Sequence, residues 1–112
     1  MKSKPANKIQ DLQFFGVFGG VNPSISDSST YTFLSANSMS ETFEGNMEGC
    51  YLYSRNSSPS NLYLEEACAA MEGTEAANVF PSGMGAITSC ILQLCKSGDH
   101  IISSRTVYGG TY

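Results

Sequence analysis

Charge is what this sequence has least of. Charged residues make up 14% of its 112 residues, against about 25% in an ordinary soluble domain. That shortfall implies a surface largely covered by further chain or by a partner. The formal net charge is -4, and no Lys/Arg cluster lies beyond the first eight residues. Both argue against a nucleic-acid partner, because phosphate backbones are bound by grouped cations. Long apolar runs are missing as well. None approaches the ~20 residues of a membrane span, and Asp11 and Gln13 interrupt the run that would make Lys2, Lys4 and Lys8 the head of a signal peptide. The expectation is a cytoplasmic chain with no membrane partner. The four cysteines, Cys50, Cys68, Cys90 and Cys95, form no CxxC pair and accompany a single histidine, His100. No metal site or redox motif is therefore expected. Cys68, Cys90 and Cys95 fall in expected helices as small buried apolar residues, while Cys50 lies in a loop.

What the chain does have is a sharp junction at Val79-Phe80-Pro81-Ser82-Gly83-Met84-Gly85-Ala86-Ile87. Pro81 cannot donate into a sheet ladder and ends the apolar run before it. Beyond it, Met84, Ile87, Ile91, Leu94 and Cys95 recur at helical spacing. Ser82 occupies the N-cap position, and Gly83 and Gly85 strip side-chain bulk from the first turn. Such a helix start turns unpaired N–H groups and the positive end of a dipole towards solvent, where a phosphate can bind. The alternative is an ordinary strand-to-helix turn whose glycines only permit close packing.

The first ~45 residues show little periodicity. Phe14 to Gly20 is apolar but glycine-rich, Asn22-Pro23 and Ser24 to Thr30 carry turn chemistry, and Tyr31, Phe33 and Leu34 offer aromatic surface without an obvious local partner. This segment is expected to be an arm that packs on another molecule. One helical turn is expected at 40–45, then an extended aromatic piece, Tyr51 to Arg55. Ser60 ends a loop that caps a helix over about 61–72, with Leu64, Cys68 and Met71 as its apolar stripe and Gly73 as its stop. A strand at 76–80, a helix from Ser82 to about Lys96 closed by Gly98, and a second strand at 101–104 come next. Strand, helix and strand at these lengths indicate α/β organisation, and two strands do not make a stable sheet. The chain is thus expected to be the front part of a larger protein, with 1–60 as arm and contact segment and 61–112 as the start of an α/β domain.

Few residues could carry chemistry. His100 has no Ser/Asp arrangement near it and reads as structural. Glu65 and Glu66 are adjacent on a helix, point apart, and read as a solvated face. Tyr53 and Arg55 share one face of an extended piece. An Arg there can grip a phosphate through two N–H groups beside a donating Tyr hydroxyl, or can simply stack on the Tyr at the surface. Tyr108, before Gly109-Gly110, can offer a flat face to a planar ligand.

Taken in order, Tyr53-Ser54-Arg55, Pro59, Leu64-Glu65, Met71-Glu72-Gly73-Thr74-Glu75-Ala76, Ser82-Gly83-Met84-Gly85-Ala86-Ile87, Gly98-Asp99-His100 and Val107-Tyr108-Gly109-Gly110-Thr111 match one family. The chain resembles the Cys/Met-metabolism (trans-sulfuration) enzymes that depend on pyridoxal 5′-phosphate (PLP), the group of cystathionine γ-synthase, cystathionine lyases, methionine γ-lyase and homoserine sulfhydrylases. The resemblance covers residues 22–112 and is most specific in its second half. It implies the α/β fold of aspartate-aminotransferase-like, fold type I, PLP-dependent transferases, entered through an extended N-terminal arm. It also implies PLP as cofactor, an amino-acid substrate, and a homo-oligomer built from catalytic dimers, with the tetramer as the working form. In that likeness Gly83 and Met84, beside Ser82, cradle the cofactor phosphate, Tyr108 stacks on its ring, and Tyr53 and Arg55 reach the phosphate held in a neighbouring subunit.

Two departures matter. Ser58-Pro59-Ser60 stands where many members read Asn-Pro-Thr, and Gly110 stands where methionine γ-lyases carry a cysteine, which points away from that member. The lysine that would hold the cofactor and the aspartate facing its ring nitrogen belong to the part of the family beyond Tyr112. No catalytic residue is therefore assigned, and the 112 residues alone are expected to be inactive. The enzyme reading is a PLP-dependent lyase or transferase of sulfur amino-acid metabolism. The alternative is a shortened, non-catalytic paralogue that acts as a subunit-interaction module. A nucleotide-binding domain lacks both the Walker lysine and a full GxGxxG.

Overall fold

The computed structural model describes residues 4–12, 15–33, 35–46 and 49–112. Phe14, Leu34 and Glu48, which belong to the apolar arm and to the approach to Cys50, lie outside them, as do Lys2 and Gln13. The chain forms two compact units, Met1–Ala77 and Asn78–Tyr112. The boundary expected at residue 60 is one of role rather than compactness, and it remains a proposal.

The first unit is built on helix α3, Pro59–Glu72. It starts two residues before the expected Asn61. Ser58, not Ser60, takes the cap and accepts the Asn61 N–H at 3.2 Å, and Pro59 fits the first helical position because no N–H is needed there. Gly73 ends the helix at φ 73°, ψ 31°, a left-handed conformation that suits glycine. Among the described residues the buried ones are Ser58, Ala67 and Ala69. The expected stripe is not the covered one: Leu64 and Met71 are exposed, and Cys68 is half-buried. Ala67 and Ala69, two residues apart, lie on nearly opposite sides of α3, so the helix is covered from more than one direction. One neighbour is helix α1, Pro5–Asp11, which packs on α3. Lys8 Nζ donates to the Ala70 carbonyl at 3.1 Å, meeting the negative end of α3 with a positive charge. Seven residues are too few for α1 to display a period in the sequence.

The arm expected to look for an external partner is partly fastened to its own chain. The Ser26 N–H donates to Ser60 Oγ at 2.8 Å, the Ser54 N–H donates to the Ser29 carbonyl at 2.9 Å, and Thr30 forms an antiparallel bridge with Tyr53. Tyr31 has a local aromatic partner after all, Tyr51, at 5.4 Å between ring centroids and 43° between planes. By contrast Phe15, Phe18 and Ile25 are exposed. Helix α2, Ala36–Phe43, begins earlier than the single turn expected, because Ser35 and Ser38 form a reciprocal capping box. Tyr51–Arg55 is not an extended piece: Tyr53 makes its one bridge and then enters a turn closed by the Asn56 N–H on the Tyr53 carbonyl at 2.9 Å.

The second unit holds helix α4, Gly83–Leu94. It ends short of Lys96, at Cys95 in extended conformation. The next residues form their own turn, in which the Lys96 N–H donates to Asp99 Oδ2 at 2.7 Å and Gly98 adopts φ 97°. Cys90 is exposed and Cys95 half-buried, so neither is the core residue expected. Among the described residues no strand forms, at 76–80 or at 101–104. A strand exists only through its neighbours' N–H and C=O groups. Ile102, 99% exposed, pairs with none of the described residues.

Candidate functional site

Helix α4 starts from Ser82, whose extended backbone (φ -153°, ψ 151°) turns the chain into the first helical residue. Its Oγ accepts the Gly85 N–H at 3.0 Å, and its carbonyl accepts the Ala86 N–H at 3.0 Å. That leaves the Gly83 and Met84 N–H groups without an acceptor among the described residues. The Ser82 hydroxyl, used only as an acceptor, keeps its proton to donate. Three donors thus converge on one helix end.

The two glycines play different parts. A Cβ on Gly83 would meet nothing within 4 Å, so the space before the helix is open. A Cβ on Gly85 would lie 3.0 Å from Ser82 Oγ, so glycine there protects the cap. The loop at the end of the unit reaches the same helix turn. Thr111 Oγ1 donates to Met84 Sδ at 3.5 Å, and the Thr111 N–H closes a turn on the Tyr108 carbonyl at 2.8 Å. Tyr108 is 74% exposed, and its ring lies across Gly110, where a Cβ would come within 2.7 Å of Cε1. Ser82, Gly83, Met84 and the turn carrying Tyr108 therefore belong to one neighbourhood. Thr111 is the tie that sequence reasoning quoted without giving it a role.

Tyr53 and Arg55 belong to the other unit. The Arg55 guanidinium carbon sits 5.1 Å from the Tyr53 ring centroid, a cation–π arrangement, and both residues are exposed. They are neighbours through a turn rather than through a shared strand face. His100 is exposed in its loop. Glu65 and Glu66 are half-buried rather than fully solvated, and Glu66 acts on Tyr51. Burial pushes the Tyr51 phenol above its ordinary 10.0, with Tyr31 and then Glu66 adding to the effect. Among the described residues no group of His, Cys, Asp and Glu could hold a metal ion.

Known proteins provide a second line. The family model for Cys/Met metabolism PLP-dependent enzymes matches residues 7–112. A methionine gamma-lyase of Arabidopsis thaliana is 44% identical over 112 residues, covering 96% of this chain and 25% of that protein. An L-methionine gamma-lyase of Porphyromonas gingivalis is 40% identical over 95 residues, 85% of this chain and 24% of that protein. An O-succinylhomoserine sulfhydrylase of Pseudomonas aeruginosa is 42% identical over 83 residues, 74% of this chain and 20% of that protein. The chain thus spans about a quarter of the length of such relatives.

Proposed function

This chain belongs to the Cys/Met metabolism PLP-dependent enzyme family, and from that membership we propose that it supplies the phosphate-holding and ring-facing part of the active site of a sulfur amino-acid lyase or transferase. The observation that carries the proposal is the pair of free N–H groups at Gly83 and Met84 beside the Ser82 hydroxyl. A phosphate dianion suits such a helix end, and the open volume at Gly83 leaves room for it. The residues present fit the group. Tyr108, on the turn tied to Met84, faces the ring, and Gly110 gives its side chain room to lie flat. Arg55 and Tyr53 hold the phosphate of a neighbouring copy. The Arg55 guanidinium lies over the Tyr53 ring and has no hydrogen bond or ion pair among the described residues, which suits a two-pronged grip. When bound, PLP supplies an electron sink for carbanions at the substrate. This chain's residues anchor and orient that ring.

The reaction proposed is β- or γ-elimination, or γ-replacement, on cystathionine, methionine or a homoserine-derived substrate. The methionine gamma-lyases and the O-succinylhomoserine sulfhydrylase above support this class by their names. Gly110 in place of a cysteine weighs against the former. In the complete protein 76–80 and 101–104 become strands of the α/β sheet, and the enzyme is a cytoplasmic homo-oligomer with shared sites. Exposed Phe18, Ile25 and Ile102 favour a covered surface, which would also suit the second reading, a non-catalytic subunit-interaction module.

One experiment separates the two. The complete protein is purified, its PLP absorbance recorded, and release of 2-oxo acid from methionine, cystathionine and O-succinylhomoserine measured. Retained cofactor and turnover of at least one substrate are expected. A complete protein that binds no PLP overturns the enzyme reading. Shared sites are tested by mixing Arg55→Ala subunits with subunits lacking the cofactor-binding lysine. Some mixed dimers regain one working site, whereas no regain after verified subunit exchange sinks that part.

A further inference from the structure

Met84 and Thr111 join the two halves of the site, and each does so with two groups. The Met84 N–H is one of the open donors at the start of α4, while its Sδ accepts from Thr111 Oγ1 at 3.5 Å. The Thr111 N–H closes the turn on the Tyr108 carbonyl at 2.8 Å, while its hydroxyl leaves that turn for the helix. Both residues are half-buried, whereas Gly83, Tyr108 and Gly109 are exposed. The Tyr108 ring lies across Gly110, so it rests on the turn that Thr111 closes. A β-branched side chain is stiff at its first torsion, which fixes the hydroxyl's direction relative to that turn. The unbranched thioether adapts to meet it and accepts weakly.

We propose that Thr111 is a positioning residue: its bond to Met84 sets how far the Tyr108 ring stands from the Gly83 and Met84 N–H groups. The inference rests on the reading of that helix end as the phosphate-holding part of a PLP site. PLP carries its phosphate a single methylene from its ring, so it engages both halves only when their spacing is right. A spacing fixed beforehand spares the cost of ordering the turn at binding. Inorganic phosphate needs the helix end alone and is indifferent to where Tyr108 stands. The helix end itself does not depend on Thr111, because the Ser82 cap is made to Gly85 and Ala86. A Thr111 that merely held the start of α4 together would affect both ligands alike.

The test uses the complete protein stripped of cofactor, titrated with PLP by absorbance and with inorganic phosphate by 31P NMR. Thr111→Val keeps the branched shape and removes the hydroxyl. Its PLP affinity should fall roughly two- to tenfold, as for one neutral hydrogen bond, with phosphate affinity unchanged. Thr111→Ser keeps the hydroxyl and should restore most of the loss. Met84→Leu removes the sulfur but not the N–H, so adding Thr111→Val to it should weaken PLP no further. The proposal is overturned if Thr111→Val binds PLP as well as the unaltered protein, or loses PLP and phosphate affinity equally. It is equally overturned if Thr111→Ser behaves like Thr111→Val, or if the double variant suffers the full second loss. Should Thr111→Val fail to fold, Met84→Leu breaks the same bond from the other end and must show the same split between ligands. An unaltered protein that leaves either ligand unbound removes the phosphate-holding reading and this inference with it. Binding of both ligands, with any of the failures above, removes this inference alone.

Discussion

Helices α3 and α4 begin almost identically and differ in what their first residues leave open. Each is capped by a serine in nearly the same conformation, Ser58 at φ -143°, ψ 158° and Ser82 at φ -153°, ψ 151°. Each cap accepts the N–H three residues on, at 3.2 and 3.0 Å. The next residue separates them. Pro59 removes one of α3's orphan donors, and the cap beneath it is buried at 5% exposure. Gly83 keeps its donor and adds no bulk. The far ends differ in the same sense, because α3 is closed by left-handed Gly73 and by Lys8, while α4 runs out at Cys95. The more apolar helix is also the less covered: Leu92 and Leu94 are 74% and 75% exposed. A serine cap builds a helix start, and the residue after the serine decides whether that start keeps a donor open.

The comparison breaks most sharply if α4 is given α3's beginning. Gly83→Pro should leave the helix intact, since Ser82 already has the extended backbone proline requires before it and a Cβ at 83 would meet nothing within 4 Å. It deletes one charge-assisted bond, worth roughly 1.5–3 kcal/mol, so PLP affinity of the complete protein should fall roughly ten- to a hundredfold. Unchanged affinity by absorbance titration would remove the phosphate role of that N–H. The two caps can then be cut in parallel. Ser58→Ala should cost about 1–2 kcal/mol of stability and leave PLP binding alone, while Ser82→Ala should cost less than about 1 kcal/mol yet weaken PLP. Denaturation midpoints and cofactor titrations on both variants check the crossing pattern. At the other ends, Gly73→Ala should destabilise by about 1–2 kcal/mol through its left-handed backbone. Cys95→Ala, at φ -120°, should stay within about 0.5 kcal/mol. The smallest effect is a pH dependence confined to the α3 unit. Tyr51 is held above 10.0 in the fold, so the stability it contributes is complete below that pH and is lost as pH rises through its higher folded value. Tyr51→Phe should flatten that loss in alkaline denaturation curves.

Local chemistry was legible in the sequence and distant pairing was not. Ser82 as cap, Gly73 as stop and the helix through Ile87 and Ile91 are each set by neighbours within a turn or two. So is the helix start with its open N–H groups, for which the phosphate is a proposal. The strands at 76–80 and 101–104 do not form, because a ladder needs backbone groups that the described residues do not supply. The covering of α3 was misjudged because hydrophobic size points to Leu64 and Met71, whereas the buried residues are Ala67 and Ala69, on nearly opposite sides of the helix. Tyr31 and Tyr51 meet across twenty residues of chain, and no periodicity announces that. Lys8 on Ala70 escaped for the same reason.

That last contact has a kinetic consequence. Lys8 reaches Ala70 across 62 residues, Ser26 reaches Ser60 across 34, and Ser29 meets Ser54 within both. The three closures are nested. Loop-closure entropy grows as ~(3/2)RT ln n, so each inner closure shortens the loop that the next one must close. The first unit should therefore zip from Ser29 and Ser54 outward and open from Lys8 inward, with α1 the last piece to arrive and the first to leave.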